Sequence, residues 1–94
     1  MSNHSISSQD TWEIAYYYLH GYTAHNLIVI EKNGNLVCQV SIQGDSKLLS
    51  LQDQFFKSPK IPLNEFRNAL HQVNSMLGGA KKKYKVQRKF EGGN

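Results

Sequence analysis

The chain has 94 residues, 39% hydrophobic and 11% aromatic, with one cysteine and a net charge of +4. That length excludes two compact domains and holds one core near the lower limit of stability without staples, while the composition excludes wholesale disorder. Cys38 alone cannot close an internal disulfide, and residues 1–9 lack the charged and apolar regions of a signal peptide, so the expectation is a cytoplasmic protein.

Residues 1–9 read as a flexible amino terminus ahead of a single α+β domain over 10–79. Asp10 and Glu13 match a capping box, and Trp12, Ala15, Tyr16 and Leu19 share one helical face before Gly21. This predicts an amino-terminal helix. The rival is a fourth strand, because the run Tyr16-Tyr17-Tyr18 favours extended structure. The dense aromatic cluster of Trp12, Tyr16, Tyr17, Tyr18 and Tyr22 exceeds one helical stripe, so Tyr17 or Tyr18 is expected at the surface as a stacking platform or a protein-binding anchor.

Asn33-Gly34 lies between two β-rich runs and supplies the two positive-φ residues of a type I′ hairpin turn. It sets a register of Lys32 with Asn35, Ile30 with Val37, Val29 with Cys38 and Leu27 with Val40. Gly44-Asp45 reads as a second tight turn, of type II′, which would pair Val40 with Leu49 and Cys38 with Leu51. The result is a three-stranded antiparallel meander. A helix over Ser46 to Lys57 is the rival, since Leu48, Leu51 and Phe55 also keep helical spacing.

After the break at Pro59 and Pro62, Leu63, Phe66, Leu70, Val73 and Leu77 recur at intervals of three and four. They predict a long amphipathic helix packed on one sheet face, with Asn64 or Pro62 at its start and Gly78-Gly79 as its stop. Residues 80–94 follow as a basic carboxy-terminal strand or arm. Tyr84, Val86, Arg88 and Phe90 alternate there with Lys83, Lys85, Gln87 and Lys89, and period two argues for an edge strand.

The charge is concentrated in that tail. Residues 1–80 carry five basic against six acidic side chains, whereas Lys81, Lys82, Lys83, Lys85, Arg88 and Lys89 face one acid, Glu91. Cations interleaved with Tyr84 and Phe90 are what a single-stranded nucleic-acid or RNA contact needs, the lysines for phosphates and the rings for exposed bases. The structural alternative is an edge strand whose lysines block aggregation. No zinc-finger spacing, RNP-like aromatic motif or GXXG loop accompanies the charge.

Catalytic signatures are lacking in the sequence. Cys38 falls on the predicted core face, where a thiol is inert, and His20 and His25 keep no zinc spacing. The expectation is therefore a binding protein without catalysis, cofactor or metal. The order of hairpin, third strand, Ile61-Pro62-Leu63 and amphipathic helix resembles the single-strand-binding transcriptional coactivator family and the related Pur-type domains over about Leu27 to Leu77. That resemblance implies a curved sheet that binds single strands and a helix that forms a homodimer. The chain departs from it in lacking basic residues within the strands. In style it also resembles phage- or plasmid-encoded inhibitors, anti-CRISPR proteins included, which implies the alternative of an inhibitor or adaptor docking on an acidic or nucleic-acid-binding protein complex. The partners expected are thus nucleic acid or such a complex, with no membrane.

Overall fold

The computed structural model describes residues 4–57 and 59–92, with side chains through residue 87. Its elements are β1 (His4–Ser8), α1 (Thr11–Leu19), β2 (Asn26–Lys32), β3 (Asn35–Gly44), α2 (Ser46–Phe56) and α3 (Leu63–Gly92). The class is α+β, with one antiparallel sheet in the order β1-β3-β2.

The hairpin follows the predicted register from Leu27↔Val40 through Lys32↔Asn35. Asn33 and Gly34 have φ of 53° and 81°, the left-handed pair that a type I′ turn requires. One face of β3 presents Cys38, Val40 and Ile42 to the core, all nearly inaccessible. The other leaves Ile28, its neighbour on β2, half exposed.

The third strand is a correction. Residues 46–56 form a helix, and its place in the sheet is taken by β1, from the segment expected to be a flexible terminus. Asp45 does not turn a hairpin. Its carboxylate accepts the Lys47 N–H at 3.0 Å and caps α2, which buries Leu48 and Leu51 and leaves Leu49 exposed. Strand β1 is held by one apolar side chain: Ile6 is buried opposite Ile42, while Ser7 bonds Ser41 across the strands at 3.0 Å. A serine-rich segment carries too little β propensity for its pattern to announce a strand.

Gly44 joins β3 to α2 at a close approach. A Cβ there would stand 2.6 Å from Tyr22 Cε1 and 3.2 Å from Leu48 Cβ. The Tyr22 ring can swing aside, but the Leu48 Cβ is fixed by its helix. Gly44→Ala is therefore expected to lower stability by about 1–3 kcal/mol through overpacking, and Gly44→Val by more. Chemical denaturation would check this, and an unchanged midpoint for both variants would refute the packing described.

Helix α1 forms where expected, with Asp10 Oδ1 accepting the Trp12 N–H at 2.9 Å. Glu13 does not complete a capping box. It is buried, and its two oxygens accept Ser8 Oγ at 2.7 Å and the Tyr17 hydroxyl at 2.6 Å.

Helix α3 opens at Pro62, whose carbonyl accepts the Phe66 N–H. It packs along α1 and across β3 and β2, burying Phe66, Ala69, Val73 and Leu77 and half-burying Leu70, Met76 and Ala80. The helical stripe is displaced from the predicted one at its first position, since Leu63 is 70% exposed. At about 1.5 Å per residue its thirty residues run about 45 Å, close to the 49 Å long dimension of the molecule.

Candidate functional site

The basic segment is the second half of α3 and not a strand. Gly78 and Gly79 do not stop the helix, because neither takes the positive φ of a helix-ending glycine. Good helix formers follow at once in Ala80-Lys81-Lys82-Lys83, and Ala80 and Tyr84 stay half-buried on the inner side. The alternation that suggested a strand is overridden by continuation of a helix already nucleated and packed.

The helix redistributes the cations. Successive residues turn by about 100°, so Lys81, Lys82 and Lys85 occupy about a third of the circumference and Lys83 lies beyond them. Lys82, Lys83 and Lys85 are exposed and Lys81 is half-buried. Among the described residues none of these four has a carboxylate within 4 Å, whereas Lys57 pairs with Asp53 at 2.8 Å at the C-terminal end of α2. The helix backbone continues through Arg88, Lys89 and Phe90, whose side chains lie outside the described residues. Lysines in the last turns also suit the negative end of the helix dipole, a structural role that needs no ligand.

Lys81 lies near the sheet, where its charge reaches Cys38. The thiol is buried against the Leu77 carbonyl at 3.7 Å, and burial pushes its pKa up while Lys81 draws it partly back. It is a core side chain, as its place in the register indicated.

The aromatic expectations need correction. Tyr17 has no accessible surface, and burial, followed by its bond to Glu13, raises its hydroxyl above the ordinary phenol range. Tyr18 is half-buried, accepting the Ala24 N–H at 3.0 Å and donating to Met76 Sδ at 3.2 Å. Neither offers a ring for stacking. The cluster fits because α1 is covered on two sides: Tyr16 donates to Gln54 on α2, and Trp12 stacks on Phe66 of α3 at 5.4 Å. The most exposed large apolar side chains among the described residues are Leu63 (70%), Phe56 (67%) and, within the cluster, Trp12 (58%).

Histidine contributes no constellation. His20 packs edge-on to Tyr16 at 4.8 Å, and His25 donates its backbone N–H to Ser41. Among the described residues no group of three or more His, Cys, Asp or Glu could hold a metal ion, and no helix is long and apolar enough to cross a membrane. The Glu13–Tyr17–Ser8 network escaped the sequence reading, although the four-residue spacing of Glu13 and Tyr17 on one helix is a legible sign of contact.

No family profile, curated protein or solved structure matches this chain. The third strand on which the likeness to the coactivator and Pur-type domains rested is helix α2.

Proposed function

We propose that the protein binds nucleic acid, without catalysis, through phosphate contacts along the second half of α3. The observation that carries this reading is the group of exposed lysines at 82, 83 and 85, with Lys81 beside them, none of which has a carboxylate within 4 Å among the described residues, on a near-neutral body. Arg88 and Lys89 follow on the same helix. Single strands or RNA remain the first ligand to test, with Tyr84 and Phe90 as stacking rings. Tyr84 is half-buried, however, which shifts the weight of the reading from bases to phosphates.

Anisotropy of a labelled single-stranded oligonucleotide is expected to give a log–log salt slope near −4, from about six cations at about 0.7 each. Replacing Lys81, Lys82, Lys83 and Lys85 by alanine keeps a strong helix former at each position and should reduce the slope to about −1.5. A failure to bind at low salt would reject the proposal.

A second reading, a protein inhibitor or adaptor from a mobile element, is favoured by the exposure of Trp12, Phe56 and Leu63. Binding anchored by these residues would be almost insensitive to salt. Pull-down with Trp12→Ala as the control distinguishes it.

A further inference from the structure

Helix α3 and the start of β2 border a shallow, open groove of about 620 Å³, lined by Leu27, Met76, Gly79 and Val86 with Lys82 and Lys83. Its lining is aliphatic and its charge is cationic. Gly79 gives it room. Glycine inside a helix costs about 1 kcal/mol relative to alanine, yet a Cβ at this position would meet nothing within 4 Å, so packing does not demand the glycine.

Leu27 belongs to β2, an edge strand that pairs with β3 alone among the described residues. The two residues flanking a type I′ turn form a hydrogen-bonded pair, and such pairs alternate along an antiparallel ladder. From Lys32↔Asn35 backward, the backbone groups of Val29 and Leu27 therefore face the open edge. In keeping with this, the Leu27 N–H is bonded by its neighbour's side chain, Asn26 Oδ1, at 3.0 Å.

We propose that this groove takes an acidic peptide segment in extended form, added to β2 as a fourth strand. An aliphatic side chain of the segment would lie over Leu27 and Gly79, with a carboxylate at Lys82 or Lys83. The backbone edge calls for a polypeptide. The lysines call for an acidic one, and they disfavour a second copy of this chain, which would bring its own cationic helix to the same place. The proposal is independent of the nucleic-acid reading, except that both use Lys82 and Lys83, so peptide and oligonucleotide should compete.

The test uses the full chain and a fluorescein-labelled decapeptide alternating valine and glutamate, with oligoglutamate of equal charge as the comparison. Saturable binding is expected, about tenfold tighter than for oligoglutamate. Gly79→Leu fills the groove while raising helix propensity. It should weaken the peptide by about tenfold and leave oligonucleotide affinity unchanged. Lys82→Glu with Lys83→Glu should weaken both ligands. In a nuclear magnetic resonance titration the peptide should shift the Leu27 and Val29 amides most. Absence of saturable binding at millimolar peptide, or equal binding by wild type and a folded Gly79→Leu, would overturn the proposal. Peptide binding that depends on Gly79, in a protein that ignores oligonucleotides, would support the groove and reject the nucleic-acid reading.

Discussion

Tyr17→Phe is expected to be less stable than the wild type at neutral pH by about 1–3 kcal/mol, and the gap should close as the pH rises beyond 10. The hydroxyl that is lost donates to Glu13 at 2.6 Å in a region closed to solvent. Its removal leaves Glu13 with Ser8 as its remaining hydroxyl donor. The alkaline limb follows from linkage. Folding raises the Tyr17 pKa above its ordinary value of 10.0, chiefly by burial. The folded state therefore holds a proton that the unfolded chain releases above that pH. This stabilisation is complete below pH 10 and is lost above it, at about 1.4 kcal/mol per pH unit. Phenylalanine has no proton to hold, so the variant lacks this contribution to the decline. Buried Cys38 contributes in the same direction in both proteins, its pKa being raised as well. Parallel alkaline denaturation curves for the two would show that Tyr17 ionises as freely folded as unfolded, contrary to its burial.

Val73→Asp should abolish the folded state. Val73 has no accessible surface and lies midway along the buried stripe of α3, which packs on α1 and the sheet. A carboxylate placed in this cluster of buried apolar side chains costs several kcal/mol in desolvation, on top of the lost apolar contact. Domains of this size have only about 5–15 kcal/mol in total. Leu63→Asp, ten positions earlier on the same helix, should change stability by no more than about 0.5 kcal/mol, because Leu63 is already in solvent. Far-ultraviolet circular dichroism melts separate the two. A cooperative wild-type-like melt for Val73→Asp would contradict the placement of α3 over the sheet.

The parts of this fold legible in the sequence were those in which local chemistry and burial agree. Asn33-Gly34 admits few turns, and the apolar alternation on either side confirms one register, so the hairpin could be read residue by residue. Asp10 announced α1 in the same way. The errors arose where one pattern fits two periods. Leu48, Leu51 and Phe55 satisfy a helix, while Leu49 and Leu51 satisfy a strand in register with the hairpin. The cap at Asp45 was the deciding signal, and Gly44 before it resembled half of a turn. In the tail, alternation over a few residues competes with continuation of a long helix, and Gly78-Gly79 reads as a stop although neither glycine takes the positive φ that ends a helix. The cationic positions of the candidate site could be listed from sequence. Their arrangement on one helix, and the groove beside them, depend on β2 and α3 meeting at Leu27, which no local signal encodes.

The amino-terminal strand has a kinetic meaning. Ile6 pairs with Ile42 across thirty-six positions, whereas the hairpin closes over two residues. Loop-closure entropy makes the hairpin the cheap first event and the docking of β1 a later one. In the interval β3 presents an unpaired edge bearing Val40 and Ile42, a template on which another nascent chain can add. Docking of β1, five residues with a single apolar anchor, therefore covers the edge of β3 that faces away from the hairpin.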